Sequence, residues 1–337
     1  MLTTHFFYLD LVLALLMSGG YTALFYPAFI EWMRKNNIRS KGHVDHIIDL
    51  STKLEKEVTP SFGGFLFIFI PFLTPPLFFS ELPSTYYALL MLAISLALVG
   101  LMDDLFKVWH TAKGISARAK SIGQVASSCL FLALIGQQGG LNVWHIPFLG
   151  TASLESSSIL WLFFLVFLLF VLVGTSNAVN LTDGMDGLAS SLSVVSYAFL
   201  FVFALMQNEP FIAFQIASSL GGLLAFTYFN KKPARIFMGD IGSLPLGGLI
   251  AGFAILLHQE VLLIFLGGMF VVETLSVMVQ VFYYKRTKKR IFACAPLHHH
   301  YQSKGWSESG IVTRFTAMQG LFALVGLTIF LLTYTHV

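Results

Sequence analysis

Five aspartates, Asp103, Asp104, Asp183, Asp186 and Asp240, stand in short polar segments between long apolar runs. Asp103 and Asp104 close one such run. Adjacent carboxylates repel unless a cation or a basic group lies near. Lys107 follows four residues after Asp103 and shares its face if the helix continues. An ordinary polar helix end is the alternative. In the segment from Asn177 to Ala189, Asn177, Asn180, Asp183 and Asp186 recur at every third residue. On a helical backbone they would line one side and offer hard oxygens to a cation or a polyhydroxy ligand; a simple turn is the competing reading. The oxygen spacing and terminal Glu of an EF-hand are missing. In Asn230–Ser243, Asp240 precedes an apolar run, where a helix N-cap is the plain role. Phe237, exposed beside it, could stack on a base. His298, His299 and His300 follow the basic run Lys285–Arg290. Neighbouring residues on a chain point different ways, which argues against one zinc site. Imidazoles beside an anion act as donors, so phosphate recognition is preferred.

Few carboxylates, with water and phosphate completing the shell, suit Mg²⁺. Lys, Arg and His suit a diphosphate. The chemistry that needs both is phosphoryl transfer, which is mostly positioning and charge neutralisation.

The elements that must carry these groups are membrane helices. Of 337 residues, 56% are hydrophobic and only 11% charged, against roughly 25% charged in soluble domains. Mean hydropathy is +0.77. Such a surface cannot be water-facing, and no nucleic-acid partner is expected. Ten runs approach the roughly 20 apolar residues that cross a bilayer: 6–30, 62–80, 86–102, 121–136, 158–179, 187–206, 211–229, 241–257, 261–284 and 311–334. All 20 Lys and Arg fall in the odd-numbered loops or at the start of the tenth run. The positive-inside rule then places those loops in the cytoplasm and both termini outside. The expected fold is all-α, a polytopic integral membrane protein with ten transmembrane helices, forming one catalytic domain over 1–337. The five aspartates lie at the inner ends. Asp10, Glu81, Glu155, Glu209 and Glu260 fall on the outer side and read as solvated loop or span-edge residues. Glu273, inside the ninth run, is a further candidate, because intramembrane acids are costly; structural hydrogen bonding is its plainer role. Cys129 and Cys294 suggest no disulfide framework.

Several strings resemble the phospho-N-acetylmuramoyl-pentapeptide-transferase family, within the polyprenyl-phosphate N-acetylhexosamine-1-phosphate transferase superfamily. They are Thr59-Pro60-Ser61-Phe62-Gly63-Gly64, Asp103-Asp104 with Lys107, Lys113-Gly114 with Lys120, Asn177 to Ala189, Phe237 to Ser243, and Pro296-Leu297-His298-His299-His300-Tyr301. The resemblance covers about residues 50–310. It implies transfer of phospho-MurNAc-pentapeptide from UDP-MurNAc-pentapeptide to undecaprenyl phosphate, giving lipid I and UMP, with Mg²⁺ as cofactor. It also implies a site on the cytoplasmic face of the bacterial inner membrane; a homodimer is compatible with it. By motif, Asp240 would be the metal ligand, and Asp103, Asp104 and His298 would join it in catalysis. Lys107, His299 and His300 would hold phosphates. Asn180, Asp183, Asp186, Asn230 and Phe237 would line the nucleotide pocket, Lys120 and Asn177 would also bind substrate, and Lys56 matches a substrate-binding lysine. The chain departs from the family at Val58, Ser61 and Phe62. A sister enzyme transferring GlcNAc-1-phosphate is the nearest alternative, although the PLHHH string favours the MurNAc family. An ion-coupled transporter would place its acids near the bilayer midplane, not at span ends.

Overall fold

The computed structural model describes residues 4–36, 38, 59–109, 114–137, 139–154 and 158–334. Helix α1 spans Thr4–Lys35. The second apolar run is broken: α2 (Gly64–Phe69), a 3₁₀ turn (Ile70–Leu73) and α3 (Pro75–Phe78) follow one another. Pro71, Pro75 and Pro76 explain the interruption, because proline removes a donor and clashes with the preceding turn. Then come α4 (Ser84–Trp109) and α5 (Ala117–Gly136). After the hairpin described below lie α6 (Ile159–Thr182), α7 (Leu188–Met206), α8 (Pro210–Asn230) and α9 (Asp240–Leu256). The ninth run splits into α10 (Leu263–Leu266) and α11 (Gly268–Thr287). The short α12 (Leu297–Ser303) and the long α13 (Glu308–Tyr334) complete the chain.

Among the described residues seven helices are long and apolar enough to cross a bilayer, and Gly64–Phe78 and Asp240–Leu256 are shorter apolar stretches. The fold is therefore a mostly helical polytopic membrane protein. Its outer surface is apolar, with Leu24, Phe25, Phe163 and Phe170 each more than half exposed. Exposed apolar surface on this scale marks contact with lipid.

One element departs from an all-helical expectation. Strands β1 (Val143–Ile146) and β2 (Gly150–Ser153) pair antiparallel, with Trp144 opposite Ala152. The hairpin is pinned by Trp144, whose ring lies 5.1 Å from that of Phe164 on α6. Four-residue strands without apolar alternation carry too weak a signal to stand out beside the long spans.

Helix α9 is the axis of the bundle: residues 240–255 are all buried. It packs on α4 and α6. Glycines let these backbones touch. A side chain at Gly100 of α4 would collide with the Asp240 carbonyl, and one at Gly64 with the backbone of Gly242. The break between α10 and α11 is also served by a partner. Gln319 of α13 accepts from Met269 N–H at 2.8 Å and donates to the Leu266 carbonyl, which also accepts from Ser196 at 2.6 Å. Backbone groups freed inside a membrane protein need such partners.

Candidate functional site

Helix α4 runs through Asp103 and Asp104 to Trp109, so Lys107 does share a face with both. Its Nζ lies 2.7 Å from Asp103 Oδ2 and 3.1 Å from Asp240 Oδ2. Lys120, in the first turn of α5, approaches from the other side, 2.5 Å from Asp240 Oδ2 and 3.0 Å from Asn180 Oδ1. Asn180 Nδ2 donates to Asp240 Oδ1 at 2.8 Å and to Ser243 Oγ at 2.7 Å. Asp104 Oδ2 accepts from Ile241 N–H at 3.0 Å, and Asp103 Oδ1 from Ile115 N–H at 2.8 Å. Oxygens of Asp103, Asp104 and Asp240 all lie within 4.8 Å of one another, and all three residues are buried.

Asp240 is the first residue of α9 and not its cap. Gly239 holds the cap position at φ +72°, so the Asp240 carboxylate turns towards Lys120 and Asn180. A Cβ at residue 239 would sit 2.7 Å from Asp104 Oδ2, and glycine alone takes that conformation without strain. The Thr59–Gly64 motif braces this loop. Phe237 N–H donates to the Pro60 carbonyl at 2.8 Å, while Gly63 and Gly64 N–H donate to the Phe237 and Met238 carbonyls at 2.8 and 2.9 Å. The motif thus fixes where α9 begins.

The array from Asn177 to Asp186 does not lie on one helical side. Helix α6 ends at Thr182, and the polar residues part there. Asn180 serves Asp240. Asn177 Nδ2 donates to Gln124 Oε1 at 3.2 Å, and Gln124 donates to Ser176 Oγ at 3.1 Å. Asp186, in the following turn, accepts from Ala234 N–H at 3.1 Å. Asp183 caps α6, partly accessible yet densely surrounded. Burial, and then the carboxylates of Asp240, Asp104 and Asp186, push its carboxyl well above the usual range, so it belongs electrostatically to the same cluster.

Asn230 is buried, with Oδ1 accepting from Gly187 N–H at 3.0 Å and Nδ2 donating to the Ile236 carbonyl at 3.0 Å. Its amide joins two loops. Phe237 is half-buried, not exposed. The histidines diverge as adjacent residues should. His298 is fully buried against Glu273, His299 Nδ1 lies 3.2 Å from Gln302 Oε1, and His300 Nδ1 accepts from Ala293 N–H at 3.1 Å. Lys56 lies outside the described residues. The sequence reading missed Ser243, Gln124 and Ser176. Ser243 stands one helical turn after Asp240, which is a usable signal; the other two look like any small polar residue in a span.

Three buried carboxylates beside two ammonium groups gather hard oxygens in one place. That donor set fits a divalent cation such as Mg²⁺. The family model described as Glycosyl transferase family 4 matches residues 86–258, a stretch that includes all of these side chains. A phospho-N-acetylmuramoyl-pentapeptide-transferase of Geobacillus sp. (strain WCH70) is 39% identical over 330 residues, covering 95% of this chain and 97% of that protein. The chain belongs to the phospho-N-acetylmuramoyl-pentapeptide-transferase family. The similarly named protein of Latilactobacillus sakei is 38% identical over 94% of this chain and 97% of its own length. That of Listeria monocytogenes serotype 4b (strain F2365) is 39% identical over 91% and 92%. This family member is a transferase of peptidoglycan synthesis and a multi-pass bacterial membrane protein.

Proposed function

We propose that the chain transfers phospho-MurNAc-pentapeptide from UDP-MurNAc-pentapeptide to undecaprenyl phosphate, releasing UMP and leaving lipid I, with Mg²⁺ held by Asp240 beside Asp103 and Asp104. The observation that carries this is the convergence of those three carboxylates, within 4.8 Å of one another, with Lys107 and Lys120 among them. The lipid phosphate, with a second pKa of about 6, is largely a dianion at pH 7 and already a nucleophile. Its obstacle is repulsion by the diphosphate it must attack. Bound Mg²⁺ would neutralise phosphate charge and favour departure of UMP. Lys107 and Lys120 bring two further positive charges to the same place, and Asn180 holds the Asp240 carboxylate in register. Asp103 would take any residual proton from the lipid phosphate. Asp183, Asp186 and Phe237 border the nucleotide side.

In this reading the chain makes ten spans with both termini outside, and the aspartates face the cytoplasm. The placement of every Lys and Arg supports that orientation. Detergent-purified protein with both substrates and Mg²⁺ should release UMP and form lipid I in equal amounts, and chelation should stop both. Transfer from UDP-GlcNAc at an equal or higher rate would overturn the MurNAc reading in favour of the sister activity.

A further inference from the structure

Glu273 and His298 are both fully buried. Glu273 stands in the second turn of α11, and His298 is the second residue of α12. Glu273 Oε1 accepts the His298 backbone N–H at 3.1 Å, and Oε2 lies 3.2 Å from the ring Nδ1. A carboxylate at the start of a helix also meets the partial positive charge of its free N–H groups. The contact ties α12 to α11 across 25 residues of chain. A buried acid in a membrane helix is expensive and persists where it has a task.

The far edge of the His298 ring defines that task. Both ring nitrogens are buried without a hydrogen-bond partner; Nδ1 faces Glu273 Oε2 as a close charged neighbour, and Nε2 faces away from it. Nε2 sits beneath Gly184, where an added Cβ would lie 2.5 Å from Nε2 and 3.4 Å from His299 Nε2. Gly184 itself is exposed. The ring therefore does not open towards solvent; it underlies the turn that carries Asp183 on one side and Asp186 on the other.

We propose that Glu273 and His298 form a positioning pair that sets the Asp183–Gly187 turn for sugar-nucleotide binding, His298 supporting the turn from below and not touching the reacting phosphates. The inference rests on the transfer reaction proposed above and on the nucleotide side of the site being bordered by that turn. A pair that contributes equally to ground-state and transition-state binding changes KM and spares kcat.

The test is steady-state UMP release by the purified full-length protein, with UDP-MurNAc-pentapeptide varied at saturating undecaprenyl phosphate and Mg²⁺. Glu273→Gln keeps an oxygen for the His298 N–H but removes the carboxylate from the ring. It should raise KM for the sugar nucleotide about 10- to 100-fold, the scale of leaving a buried polar group without its charged partner, with kcat within about twofold of wild type. His298→Asn should do the same, and the double variant should be no worse than His298→Asn, because residues acting as one unit are not additive. A fall in kcat at unchanged KM in His298→Asn would overturn the proposal, since it would put the ring on the reacting phosphates. Independent, multiplying losses in the double variant would overturn it as well. Gly184→Ala is the control if Glu273→Gln does not fold. At an exposed position it presses a methyl group onto Nε2 and should raise the same KM, and a wild-type KM there would sink the idea. Absence of wild-type turnover would instead refute the transfer reaction itself.

Discussion

The two ends of α9 treat buried carboxylates in opposite ways. At its start, Asp240 is 8% exposed and meets Lys120, Lys107 and Asn180. Beyond its end, in the loop before α10, Glu260 is 3% exposed. Its two carboxylate oxygens have no hydrogen-bond partner beyond its own backbone. Burial pushes the Glu260 carboxyl up to about 8, so it is mainly neutral at pH 7. Glu260, expected from the sequence as a solvated loop or span-edge residue, is instead buried together with the neighbouring Gln259. The two sites, about 25 Å apart along the helix, show what a membrane protein does with an acid in each case. Given lysines and amides it keeps the charge for chemistry; given none it keeps the proton.

The largest effect should come from Asp240. Asp240→Ala should lower kcat for UMP release by about 10³-fold, the scale of losing a group that organises charge in the transition state, while thermal stability in detergent stays close to wild type. Near wild-type, Mg²⁺-dependent turnover would erase the contrast between the two ends. Lys120→Met should come next, at about 10²-fold in kcat. An unchanged rate would mean that its contacts with Asp240 and Asn180 are structural only.

The smallest effect on turnover belongs to Glu260. Glu260→Gln should leave kcat and KM within about twofold of wild type. Its effect is on stability against pH. The folded protein holds this proton to about pH 8, whereas the unfolded chain releases it near the ordinary carboxyl value of about 4.3. Between those values the folded state binds more protons, so stability falls as pH rises. Thermal unfolding from pH 5 to 9 should show that decline in wild type and a flatter profile in Glu260→Gln. Identical profiles would mean that Glu260 is not buried as an isolated acid.

Much of the site was legible in the chain. Asp103, Asp104 and Lys107 share a helix, so spacing alone predicts their contact. Lys120 and Asp240 were recognisable as motif residues, but that Lys120 reaches Asp240 is a fact of helix packing. The run Asn177–Asp186 misled for a physical reason: its period of three reads as one helical face, yet α6 stops at Thr182 and sends Asn180 and Asp186 to different partners. The three histidines read as phosphate donors by composition, while burial gives the first of them to Glu273. The broken second run was visible in its prolines; the split of the ninth was not, because Gln319, which satisfies the freed backbone, lies 50 and 53 residues from the groups it serves.

The sequence by itself determined the membrane class and most of the long apolar helices, because these follow from the transfer free energy of residues taken one at a time. Its motifs also determined the family. The tertiary structure alone decided which acids keep their charge and which keep a proton, which polar groups meet, and where α9 begins. Those outcomes depend on the distance between groups remote in the chain and on the water excluded between them, and neither is written in any local run of residues.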